Sequence, residues 1–61
     1  MLRLKEILEK KRMTQVELSK KLGVSTVTVN LWAKNKSEPS LRMILKICEI
    51  LKIKLSELVE Q

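Results

Sequence analysis

The chain has 61 residues, one small domain, and at that size only roughly 60% of the unfolded surface can be buried. A single cysteine, no histidine and no acidic cluster at metal-ligand spacing exclude a disulfide framework and a structural zinc, so stability must come from an apolar core. Thirteen Lys and Arg against seven Asp and Glu leave a net charge of +6, which points to a polyanionic partner, while 44% apolar residues with one Gly and one Pro exclude disorder.

The N-terminus, MLRLKEILEK, interrupts its apolar residues with charge every two or three positions. It is neither a signal peptide nor a membrane span, and a cytoplasmic protein is expected. Leu4, Ile7, Leu8 and Lys11 follow the i, i+3, i+4, i+7 pattern, with Lys11 able to lay its aliphatic stem on the core edge, and predict a first helix over residues 2–12. Its last turn carries Lys10, Lys11 and Arg12, where the helix dipole favours positive charge. Thr14 with Glu17 forms a capping box that opens a second helix, with Leu18, Ser19 and Leu22 on its inner face. Gly23 ends that helix where a left-handed residue is wanted.

The next segment, STVTVNLW, alternates like a half-buried strand, but nothing else in the chain offers it a pairing partner. Read as a helix over residues 26–34 and capped by Ser25, it places Val29, Trp32 and Ala33 on one face. Thr26, Val27, Asn30, Leu31 and Lys34 then lie on the other. Residues 35–39 form a loop, and Ser40 caps a fourth helix with Leu41, Ile44, Leu45, Cys48 and Leu51 expected on its buried face. A short fifth helix carries Leu55, Leu58 and Val59. The expected fold is all-α, a compact five-helix bundle forming one domain over residues 1–61.

Helices 2 and 3, joined by a tight glycine-containing turn, make a helix-turn-helix over residues 14–34. Short side chains on the outer face of the second helix would let it approach base edges in a DNA major groove. The segments TQVELSKKLGVSTVTVNLW, NKSEPSL and LKICEILKIKLSELV closely resemble the lambda-repressor and Cro-like helix-turn-helix family, the XRE-type bacterial and phage regulators, over roughly residues 4–59. The resemblance implies operator DNA as partner, binding as a two-fold dimer, and repression of transcription by a reading helix at residues 26–34.

Carried onto this chain, the resemblance puts Thr26, Val27, Asn30 and Leu31 where the family reads bases. Asn30 could bond adenine at N6 and N7, and Val27 or Leu31 could pack on a thymine methyl. Gln15 would reach a phosphate from the start of helix 2 and also brace the reading helix. Ser25 is first an N-cap and second a phosphate contact. Thr28 either touches phosphate or bonds its own helix backbone, and Lys36 meets phosphate, with Lys34 and Arg42 as weaker candidates.

Three departures from the family pattern stand out. Leu8 and Ala33 occupy positions where many members pair Arg with Glu; an apolar pair there leaves no unmatched charge and is expected to pack together. Arg12, Asn35 and Lys52 occupy positions where the family often has glycine, and left-handed backbone suits Asn better than Arg or Lys. Lys54 replaces a usual capping residue at the start of helix 5.

No enzyme is expected: there is no histidine, no nucleophile with a base, no glycine-rich phosphate loop and no room for a deep pocket. Cofactor, metal, membrane and small-molecule substrate are likewise not expected. Cys48 reads as a buried inert thiol, and Trp32 as a core anchor for helix 3. The competing reading is an antitoxin-like or other protein-binding module of the same fold, gripping its partner through helices 4 and 5. Ile47, Ile50 and Ile53 would then be exposed contacts, or else core or homodimer residues. With no extra dimerisation segment after helix 5, a homodimer is expected to be weak in free solution or to form on DNA.

Overall fold

The computed structural model describes residues 1–59, so Glu60 and Gln61 of the domain read over residues 1–61 lie outside the described residues. Five helices follow in order: α1 (Leu4–Lys11), α2 (Gln15–Leu22), α3 (Thr26–Ala33), α4 (Leu41–Leu51) and α5 (Leu55–Leu58). The all-α bundle expected from the sequence is the observed architecture. Among the described residues the one departure from helix and loop is an isolated antiparallel bridge between Leu2 and Val59. Residues 2 and 3 therefore precede α1 rather than begin it. Arg3 N–H donates to the Leu58 carbonyl at 2.8 Å, joining the first residues to the last helix.

Local chemistry explains the helix starts. Thr14, Ser25 and Ser40 each adopt extended backbone, and each hydroxyl accepts from the amide three residues on, satisfying a donor the helix cannot. The capping box of α2 is modified: the Thr14 hydroxyl also donates to the Glu17 carboxylate at 3.3 Å. At α5, Lys54 has the extended backbone of a cap but supplies no side-chain bond.

The ends of α1 to α4 share one device. Met13, Val24, Lys36 and Ile53 each donate their amide to the carbonyl five residues back, the mark of a Schellman turn. Such a turn needs a left-handed residue just before, and these are Arg12, Gly23, Asn35 and Lys52, with φ of 55°, 74°, 57° and 56°. Three of the four bear a Cβ. At Arg12 and Lys52 the cost is offset by the apolar residue that follows, since Met13 and Ile53 are half-buried against the core, as Val24 is after Gly23.

The core gathers Leu4, Ile7 and Leu8 of α1, Leu18 and Leu22 of α2, Val29, Trp32 and Ala33 of α3, and Ile47, Cys48 and Leu51 of α4, closed by Leu2 and Leu58. Leu8 and Ala33 are buried in this one cluster, and α1 packs on α3, as their joint replacement of a charged pair implied. Lys11, expected at the core edge, is exposed.

Helix α4 corrects the sequence reading. Leu41 and Leu45, expected inside, are 66% and 52% exposed, whereas Ile47, read as exposed or core, is fully buried. Ile50 and Ile53 are half-buried against the core. Eight of the 11 residues in LRMILKICEIL are apolar, and the three charged ones, Arg42, Lys46 and Glu49, recur at i, i+4, i+7 on one side, so the sequence sets the outer side but leaves an apolar flank on either edge of it. Packing against α2 and α5 covers the flank of Met43 and Ile50 along with Ile47, Cys48 and Leu51, and leaves the flank of Leu41 and Leu45 outside.

Candidate nucleic-acid interface

Helices α2 and α3 pack on each other more extensively than any other pair, and Gly23 and Ser25 set the turn between them. The β-like composition of α3 is held helical from both sides. Ser25 caps it, with Thr28 N–H donating to the Ser25 hydroxyl at 3.1 Å. Val29, Trp32 and Ala33 are buried beneath it. Trp32 is thus a core anchor, as its helical phase predicted.

What remains on the outer face is a row of short side chains. Thr26 is exposed, Val27 is 70% exposed, Leu31 is exposed and Asn30 is half-buried. The four residues expected to meet bases therefore share one accessible face of one helix. Their surface is nearly free of charge, so no bulky side chain would hold α3 away from a groove.

Polar contacts tie this face to α2. The Asn30 Nδ2 donates to Gln15 Oε1 at 3.0 Å, across the angle between the two helices. Gln15, first residue of α2 and half-buried, is thereby the brace expected of it. Its own amide N–H groups stay free of this bond, beside the positive end of α2, where anions are attracted. The Thr26 hydroxyl lies 3.2 Å from that of Ser19, which in turn donates to the Val16 carbonyl at 2.7 Å. The hydroxyls of Ser25 and Thr28 pair at 2.9 Å, so Thr28 is engaged with the cap side chain rather than with a helix carbonyl.

The flank beyond α3 adds positive charge. Lys34, Lys36 and Arg42 are all exposed on the loop and the start of α4. Of the phosphate candidates, Gln15 is bonded to Asn30 on this face, Ser25 and Thr28 stand at the start of α3, and Lys36 lies in the loop after it.

Sequence reasoning missed two residues that shape this surface. Asn35 takes the left-handed position after α3, and its side chain clasps the backbone of Leu2: Leu2 N–H donates to Oδ1 at 2.8 Å, and Nδ2 donates to the Leu2 carbonyl at 3.1 Å. The signal was an asparagine at a glycine position, which told of the backbone but not of the clasp. Ser19 was read as a small inner-face residue, and its hydroxyl bond to Thr26 needed the packed helices to be seen. Among the described residues no three His, Cys, Asp or Glu side chains come together as metal ligands, and no helix is long and apolar enough to cross a membrane.

Comparison with known proteins agrees with this geometry. The family HTH_3, helix-turn-helix, matches residues 4–58. Two uncharacterized HTH-type transcriptional regulators of Archaeoglobus fulgidus are 39% and 38% identical over 56 residues, covering 92% of this chain and 80% and 79% of theirs. The crystal structure of a presumed DNA-binding protein from Bacteroides fragilis superposes with a TM-score of 0.96 at 35% identity, covering 98% of this chain and 97% of that one. The chain belongs to the helix-turn-helix family HTH_3, a family of DNA-binding transcriptional regulators and not of enzymes.

Proposed function

We propose that the protein is a sequence-specific repressor that, as a single domain over residues 1–61, lays α3 in the major groove of a palindromic operator. Family membership implies double-stranded DNA as the partner, and the relatives carry the description of transcriptional regulators. The observation that carries the docking is the outer face of α3: short, exposed and almost uncharged, with cationic and amide donors at its edges. Thr26, Val27, Asn30 and Leu31 meet bases, and Gln15, Ser25, Thr28 and Lys36 meet phosphates. Asn30 gives one amide proton to Gln15 and keeps Oδ1 and a second N–H, the pair that matches adenine N6 and N7.

Two copies act together. Half-sites one helical turn apart are separated by roughly 34 to 36 Å, beyond the 26 Å longest extent of one copy. The surface offered to the second copy is the face that α4 turns outward, where Leu41 stands near Leu55 of α5 and Leu45 is exposed one turn further along α4. A hollow lined by Leu41, Ile44, Leu55, Ser56 and Val59 continues it. A few leucines per partner fall well short of the roughly 800 Å² a side of a standard stable interface, so the dimer is weak in free solution and completes itself on DNA.

Duplex binding measured against salt tests the reading. Affinity falling steeply with salt, and an inverted repeat recovered from a random duplex pool, are the expected results. Salt-insensitive or absent duplex binding would instead favour the antitoxin-like module, with the leucine face gripping another protein.

A further inference from the structure

We propose that Thr26 reads an exocyclic amino group in the major groove, adenine N6 or cytosine N4, because Ser19 leaves its hydroxyl only the power to accept. The inference rests on the docking of α3 proposed above and adds to it the chemical class of base that one residue selects.

A serine hydroxyl has one proton. That of Ser19 is directed at the Val16 carbonyl, 2.7 Å away, an oxygen that can only accept. Ser19 therefore has no proton left for Thr26, and the 3.2 Å contact between the two hydroxyls is made by Thr26 donating to Ser19. Ser19 is 3% exposed, so water does not compete for this bond.

The polarity of Thr26 follows. Its proton points inward, toward α2, while the residue itself is exposed in the first turn of α3. The face it shows outward is an oxygen with lone pairs alone. Such a group attracts an N–H donor and is repelled by guanine O6, thymine O4 or a phosphate oxygen. In the major groove the available donors are adenine N6 and cytosine N4. On the strand that Thr26 contacts, adenine or cytosine is favoured over guanine or thymine. Ser19 touches no base and is a positioning residue, since it sets the direction of another residue's proton.

Selection from a random duplex pool, run on the full chain and three variants, tests this. The base position whose preference changes in Thr26→Val is the one Thr26 reads. There the parent should enrich adenine or cytosine over guanine and thymine about five-fold, the worth of one net hydrogen bond. Thr26→Ser should keep that bias. Ser19→Ala frees the threonine proton, lets the hydroxyl both donate and accept, and should shrink the bias to less than about two-fold while the other positions stay as selective. Helical circular dichroism and a melting curve establish that each variant is folded. Guanine or thymine preferred at that position, no position altered by Thr26→Val, or an undiminished bias in Ser19→Ala would each overturn the inference with the docking left intact. A pool that yields no enriched sequence at all would overturn the docking and this inference together.

Discussion

In the docking proposed above, Asn30 and Lys36 make two kinds of DNA contact that a binding assay separates. Asn30 offers a base edge two directed groups, so Asn30→Ala should relax selectivity at one base position, a discrimination of about 1 to 3 kcal/mol. Lys36 offers only charge: Lys36→Ala should weaken binding to all sequences alike and reduce the salt slope by about one. Quantitative binding to the selected site and to scrambled duplex, at several salt concentrations, measures both. Cys48 is a residue of the other sort, silent toward DNA. Burial pushes its thiol pKa up, and the negative charge of Glu57 adds to this. The unfolded chain then loses the thiol proton first, at the ordinary thiol pKa. Stability from this group is complete below that value and is lost as pH rises through the higher folded pKa. Urea unfolding from about pH 7 to 10 should show this loss in the parent and not in Cys48→Ala, whose slope is then the reference.

At the scale of the element, two helix ends with the same backbone should respond oppositely to glycine. Lys52 holds φ 56° with no polar side-chain bond among the described residues, so Lys52→Gly relieves the left-handed cost and should stabilise by about 0.5 to 1 kcal/mol after glycine's greater unfolded entropy. Asn35 holds φ 57° but also clasps Leu2 with two hydrogen bonds, so Asn35→Gly should destabilise by about 1 to 2 kcal/mol. Chemical denaturation of both variants gives the two signs. The helix starts are more uniform: Ser40→Ala removes the bond to Met43 N–H and should cost about 1 kcal/mol. These ends also show how far local reading reaches. Thr14, Gly23, Ser25 and Ser40 were legible because a cap or stop is decided within a few residues of chain. The covered flank of α4 was not, because Arg42, Lys46 and Glu49 mark its outer side while the apolar flanks of Leu41 with Leu45 and of Met43 with Ile50 look alike along the chain.

For the whole molecule, the exposed leucine face and the face proposed to read DNA should act as one unit only on a full operator. Leu45→Glu changes a side chain that is 52% exposed, so the fold should persist. It should lower affinity for the inverted repeat by about ten-fold or more, through lost avidity, while a single half-site is bound as by the parent. Sedimentation at low micromolar concentration should find both proteins monomeric without DNA. A dimer of the parent there would mean a stronger interface than a few leucines supply.

By itself the sequence determined the number and order of the helices, the helix-turn-helix and the identity of the side chains on the outer face of α3. All of these follow from caps, stops and periodicity that act along the chain, and the family landmarks are local in the same sense. Only the tertiary structure decided which flank of α4 is covered, that Asn35 holds the backbone of Leu2 from 33 residues away, and that the hydroxyls of Ser19 and Thr26 meet. Each of these depends on groups brought together by packing from separate segments. A contact between two hydroxyls, or the choice between two apolar flanks, exists only once the neighbouring helix is in place.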